Sequence, residues 1–227
     1  MTTNLFLFQM NDSNFPIGSF SHSYGFETYL HQQRIQTADA FEEWLIQFLN
    51  NQVLTTDAMA ICRAFEALER ESLADILEIN TELNALLLPS EMRQANQKMG
   101  QQFLNIGKSL LEHPLLLNYQ AQLKEQQLAP HPAIVFGLLA YCSQAELKET
   151  LSVYLLNTTI SMVQNAVRGV PIGQVAGQKI IYGLSQQIPE MTERVCELPI
   201  DHFGATAPGI EIAQMQHEFL FARNFMS

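Results

Sequence analysis

The stretch Thr37–Leu54, TADAFEEWLIQFLNNQVL, decides the fold class. Its large apolar residues Phe41, Trp44, Leu45, Phe48 and Leu49 recur at i, i+3, i+4, i+7 and i+8. A helix turns once in about 3.6 residues, so these side chains line one apolar stripe; a strand would scatter them over both faces. Thr37 stands before the run as an N-cap, and acids follow in the next turn, where the positive end of the helix dipole favours them.

The same period continues along the chain. Asp57–Glu71 repeats it at Ile61, Ala64, Phe65 and Leu68. Ser72 with Asp75 opens a helix that Pro89 ends, and Ser90 is the N-cap expected for the next, which stops before His113-Pro114. A shorter helix follows over Leu115–Leu128. Pro132 suits the first turn of a helix reaching Cys142. Ser143 with Glu146 reads as a capping box opening the helix through Arg168. Pro171 and Pro189 punctuate the remainder, Gly204–Gly209 reads as a loop, and Ile210–Met226 is helical by pattern. No run alternates with period two, and no Asn-Gly or Asp-Gly hairpin signal occurs. The chain is therefore expected to be all-α: one globular domain over residues 1–227, of about eight to ten helices, with residues 1–12 and 217–227 flexible when alone.

Of 227 residues, 47% are hydrophobic and 15% charged, enough apolar material for a core and too little charge for a disordered chain. The formal net charge of −11 opposes phosphate neutralisation, so nucleic acid is not an expected partner. Three scattered cysteines, Cys62, Cys142 and Cys196, form no disulfide framework and suit a reducing compartment. The N-terminal stretch lacks a basic segment, and the longest apolar run, Ala133–Cys142, is half of a ~20-residue span. A cytoplasmic protein with no membrane partner is expected.

From Thr150 to Pro189 there is no Asp or Glu; Arg168 and Lys179 are the fixed charges. Such a stretch is either a central buried helix or a subunit interface. Gly169, Gly173 and Gly177 recur at every fourth position in it. They offer a close-packing or dimer face if they share a helix, although Gly169 ahead of Pro171 can equally end one.

Asp12–Glu27, DSNFPIGSFSHSYGFE, looks chemically loaded. It is no phosphate loop: Gly18 is followed by Tyr24-Gly25 without a lysine, and GxGxxG is absent. Nor is it a Ser/His site, because adjacent residues diverge and no GxSxG elbow is present. Asp12 or Ser13 can start a turn, and Ser19 or Ser21 can N-cap a helix running through Glu27 to His31. Among the six histidines no HxxxH or HExxH occurs. A helical metalloprotein or metalloenzyme using His22, His113, His131 and His217 remains the chemical rival, since a site can be assembled from distant residues. The carboxylates read as solvated helix faces, and nothing demands an enzyme.

Asp12–Glu27 nevertheless resembles the N-terminal signature of the urease accessory protein UreF family. Pro89–Gly100 is similar to that family's Glu-x-Arg segment and His131–Gly137 to its mid-chain helix. Asn165–Lys179 resembles its Val-Arg/Lys-x-x-Pro-x-Gly-Gln block, and His217–Ser227 its terminal His-Glu segment. These five blocks keep the family's order over nearly the whole chain; Phe26 and Asn224 stand where Leu is usual. The resemblance implies an all-α homodimer and a non-enzymatic urease maturation factor without its own cofactor. It implies binding to the accessory protein UreD/UreH and recruitment or regulation of the GTPase UreG, for nickel delivery to apo-urease. By position it marks Glu27, Arg168, His217, Glu218, Arg223, Phe225 and Ser227 as partner-contact residues, with a terminal segment that orders on its partner.

Overall fold

The computed structural model describes residues 4–12, 14–170 and 172–227, with Phe20 described by its backbone alone. In chain order its α-helical segments are α1 (Leu5–Asn11), α2 (Phe26–His31), α3 (Ala38–Phe48), α4 (Met59–Glu69), α5 (Leu73–Ala85) and α6 (Ser90–Leu111). They continue as α7 (Pro114–Glu125), α8 (Pro132–Cys142), α9 (Leu147–Gly169), α10 (Gln174–Ser185), α11 (Ile188–Glu197) and α12 (Pro208–His217). Among the described residues no strand occurs, as the unbroken helical period requires.

Thr37 accepts from the Ala40 amide and Ser72 from that of Asp75, so both expected caps form. From α3 the backbone does not stop: Leu49–Ala58 continues as a π-helix into α4. The reason lies in the loop that crosses it. Gly204 N–H takes the Thr55 carbonyl at 2.9 Å and Thr55 Oγ1 donates to the Ala205 carbonyl at 2.5 Å. The Met59 amide consequently turns to the Leu54 carbonyl, five residues back. Among the described residues, twelve segments, two of them joined in one rod, make eleven helices, one more than the upper expectation. The added one is α1, whose short LFLFQMN run carries no full helical period. It docks through buried Leu7 and Met10, and Asn4 is tied to Glu149 and Ser143 of the α8–α9 region.

The core sits around α8, whose residues Ala133 to Ala140 are buried on every side, as an all-apolar helix must be. Against it pack α4, α6 and α9. Each fully buried Leu, Ile, Val or Phe there contributes about 1.5–3 kcal/mol by leaving water. The acid-free stretch is divided between two roles. Its first part, α9, buries Leu151, Leu155, Met162, Val163 and Ala166, while the second, α10, leaves Val175 and Tyr182 exposed.

Several local expectations need correction. Ser143 does not open α9: it closes α8, donating its hydroxyl to Ala140, and Gln144 turns left-handed (φ 62°) before Glu146 starts α9. Ser90 lies inside α6, after Pro89, and its hydroxyl donates to Glu218 instead of capping. Ser19 and Ser21 form a separate 3₁₀ turn, and Gly25 begins α2. The helix expected over Ile210–Met226 ends at His217, because the following residues are drawn into other contacts. Gly169, Gly173 and Gly177 share no helix face: Gly169 ends α9, Gly173 is the exposed N-cap of α10, and Gly177 packs α10 on Val163 and Val167 of α9. The chain breaks between α9 and α10, so a fourth-residue spacing does not stack them. Asp12 Oδ1 accepts from the Asn14 amide, the expected turn start. Expectations resting on Ser13, on Pro171 and on the first three residues lie outside the described residues.

Candidate functional site

Gly25 places the first carboxylate of the candidate site. It holds φ +90°, and a Cβ there would meet the Gln214 amide nitrogen at 3.1 Å and the Ile210 carbonyl at 3.3 Å. Only glycine both adopts that backbone and lets α12 come this close to α2. Glu27, in the first turn of α2, is thereby aimed at the end of α12 and is 1% exposed.

Glu27 gathers its partners from the end of α12 and the tail beyond it. Its Oε2 faces His217 Nε2 at 2.8 Å and accepts from the Phe225 amide at 3.2 Å; its Oε1 accepts from the Asn224 amide at 2.6 Å. The other ring nitrogen of His217, Nδ1, faces Glu91 Oε2 at 2.7 Å. A neutral imidazole has one N–H, and two carboxylates need two, so His217 is an imidazolium. Glu91 also accepts from Arg223 Nη1 at 2.5 Å. Two acids, His217 and Arg223 thus balance in charge inside one cluster, which is what burial of ions requires.

Beyond this cluster the tail is plugged by Phe225. Its ring meets Phe26 edge-on at 5.7 Å, next to Phe41 and Trp44, and Gly169 leaves the space beside it. Ser227 makes the last attachment. Its hydroxyl lies 2.8 Å from His22 Nδ1 and donates to Met92 Sδ, and its carbonyl accepts from the Ser23 amide. Asn165 of α9 holds the His22 carbonyl from below at 2.8 Å. Residues 218–227 are therefore a latch, fixed at His217, Arg223, Phe225 and Ser227, and between those points Phe219 (80% exposed) and Phe221 (106%) face outward.

Six of the seven residues singled out from the sequence meet here: Glu27, His217, Glu218, Arg223, Phe225 and Ser227. Glu218 caps α12 and accepts from Ser90 Oγ. Arg168 stands apart, exposed in the last turn of α9, one residue before the Gly169 contact. Sequence reasoning missed Glu91. Its signal was present, an acid in the first turn of α6 within the Glu-x-Arg segment, but no partner could be assigned to it. The four histidines of the metal alternative are separately employed. His113 and His131 cap α7 and α8, His131 also meets Asn96, His22 binds Ser227, and His217 is saturated by acids. No cluster of metal-holding His, Cys, Asp or Glu occurs among the described residues, and none of their helices is long and apolar enough to cross a membrane.

The latch titrates from both sides. Burial opposes charge on His217, but its bonds to Glu27 and Glu91 prevail and raise its pKa above 6.5. Burial likewise opposes charge on Glu27, and the His217 bond with the two tail amides lowers it below 4.5. Burial, reinforced by His217 and Lys98, pushes His22 down to about 4. A raised histidine stabilises fully below 6.5 and stops doing so as pH rises through its folded value. A lowered one stabilises above 6.5 and is lost as pH falls, here over a range worth up to about 3 kcal/mol. Burial lowers His131 in the same sense, and Glu27 adds its loss below 4.5. The latch is therefore expected to hold best near pH ~6.5. Amide exchange at Asn224 and Phe225, corrected for intrinsic rates, should show maximal protection there; a flat profile would remove His217 and His22 from the latch.

Known relatives match the chain along its length. The family model described as UreF matches residues 35–185. Over 227 residues the chain is 38% identical to the urease accessory protein UreF of Bacillus sp. (strain TB-90), covering all of both proteins. It is also 38% identical to that of Corynebacterium efficiens over 227 residues, all of this chain and 98% of the relative. With that of Arthrobacter sp. (strain FB24) the identity is 38% over 223 residues, 98% of this chain and 96% of the relative.

Proposed function

The chain belongs to the UreF family of urease accessory proteins, with a role in urease maturation, and on that premise we propose that it works as a non-catalytic cytoplasmic scaffold. It binds the accessory protein UreD/UreH and recruits or regulates the GTPase UreG for nickel delivery to apo-urease. The observation that carries this reading is the latch: a charge-balanced clamp holds a tail whose Phe219, Phe221 and Met226 are left to solvent. Outward apolar side chains on a positioned segment are what a protein partner covers.

Co-purification with UreD/UreH and UreG, and urease activation in a strain lacking this gene, test the proposal; intact nickel-dependent urease activity in that strain would end it. Within it, Arg223→Ala separates fold from partner binding. Arg223 is 41% exposed, so losing its pair with Glu91 should cost no more than about 1 kcal/mol. Pull-down of the partner should nevertheless fall clearly. Retained binding with lost stability would make Arg223 structural only.

Homodimerisation is assigned in the same spirit to the exposed side of α10, where Val175 and Tyr182 are 72% and 70% exposed. Gly173 is exposed and an added Cβ there meets nothing within 4 Å, so a side chain can start from it toward solvent in Gly173→Glu. Sedimentation of that variant should show a folded monomer. An unchanged dimer would remove this face.

A further inference from the structure

Away from the latch, α1, α6, α8 and α9 enclose a cavity of about 90 Å³. Four aromatic side chains line it: Tyr24, Phe103, Phe136 and Tyr154. The Phe136 ring stands 5.3 Å from that of Tyr154 and 6.3 Å from that of Phe103, so three of the four make one continuous wall. Tyr24 is held on the remaining side with a left-handed backbone (φ 53°), its carbonyl accepting from Gln214 at 3.2 Å and its ring 5.7 Å from Phe48. The buried thioethers of Met99 and Met162 complete the apolar lining. One charge enters it. Asp57 reaches the cavity from the π-helix, and its one hydrogen bond among the described residues comes from the Tyr154 hydroxyl, to Oδ2 at 2.7 Å. Among the described residues no Lys, Arg or His lines the cavity, and none pairs with Asp57.

We propose that this cavity binds a small methylated ammonium ion, of the size of trimethylammonium, whose N–H donates to Asp57 Oδ1 while its methyl groups lie against the rings and thioethers. A carboxylate drawn out of water without a counter-ion gains from a cation brought to it. Aromatic faces carry the negative part of the ring quadrupole and attract the same charge. The lining decides the kind of cation. One charged acceptor asks for one N–H, and the apolar remainder asks for methyl groups; a bare metal ion would find a single charged ligand here and no imidazole or thiolate. The volume sets the size. A cavity of roughly 150 Å³ holds a six-carbon ring, so this one takes a group of about four heavy atoms. That leaves no room for a side-chain stem, and the ligand is a free ion. The half-buried polar residues Asn11, Asn157 and Ser161 form the side by which it enters.

The probe is trimethylammonium chloride, titrated into the full chain by calorimetry against sodium chloride of equal ionic strength. One saturable site of millimolar or tighter affinity is expected, with a rise in thermal midpoint that sodium chloride does not give. tert-Butanol, neutral and of nearly the same shape, should bind at least about tenfold more weakly for want of the charge. Asp57→Asn keeps an acceptor for Tyr154 and should lose about tenfold or more in affinity. Ser161→Leu, which puts methyl groups into the cavity and leaves Asp57 in place, should weaken binding as well; circular dichroism checks that both variants are folded. No saturable binding in the millimolar range, tert-butanol bound as well as the cation, or an Asp57→Asn chain that binds like the parent would overturn the proposal. Tighter binding of a trimethyl-lysine peptide than of the free ion would overturn it too.

Discussion

Replacing Glu27 by alanine should cost about 3–5 kcal/mol, the range for removing one partner of a buried ion pair. Three donors lose their acceptor at once: His217 Nε2–H and the amides of Asn224 and Phe225. The tail can rescue its amides by leaving for water, so the loss should appear as release of residues 218–227 together with lowered stability. Glu27→Gln should be far milder. Its amide can donate to a neutral His217 that keeps its proton on Nδ1 toward Glu91, while its carbonyl accepts one tail amide; about 1–2 kcal/mol is expected. Urea unfolding gives the cost, and amide exchange at Asn224 and Phe225 reports the release. An alanine variant within about 1 kcal/mol of the parent, or no gap between Ala and Gln, would sink the clamp.

Gly100→Ala should be more disruptive still than its chemistry suggests. Gly100 faces the segment entering α8, and an added Cβ would lie 1.9 Å from the Pro130 carbonyl oxygen and 2.8 Å from its carbon. Both obstacles are backbone, so no rotamer change relieves them. Moving α6 away would open the wall beside α8 and strain the Asn96–His131 bond, while moving the Pro130 segment instead would strain the bond from the His131 amide to Asn80 of α5. A loss of at least about 3 kcal/mol is expected, above the usual range for one extra methyl. Soluble yield and thermal midpoint measure it. Gly173→Ala, where nothing lies within 4 Å, is the matched control and should be near neutral. A well-folded Gly100→Ala protein of parental stability would mean that α6 and the Pro130 turn approach less closely.

The helical class was legible because apolar spacing is local: Phe41 to Leu49 mark their own stripe, and Thr37 and Ser72 mark their own caps. What escaped depends on contacts between distant residues. Nothing near Thr55 announces that Gly204 will take its carbonyl and turn the helix into a π-helix. Nothing within Glu218–Ser227 says that its helical pattern yields to Glu27, whose bonds reach it across 197 and 198 residues. Six latch residues were found through block resemblance. Glu91 was not, because an acid in a first helical turn is ordinarily explained by the dipole alone.

That separation in sequence also orders events in time. During synthesis Glu27 leaves the ribosome long before the residues that neutralise it. At about 5–20 residues per second, 190 residues take about ten to forty seconds. Until then Phe26 lacks the Phe225 ring, and a carboxylate waits at the site with neither imidazolium nor amides. The helices can assemble meanwhile, but the groove closes only when His217 to Ser227 arrive. The latch thus forms only after the helices that receive it, and a chain cut before His217 would leave Glu27 and Phe26 without those partners.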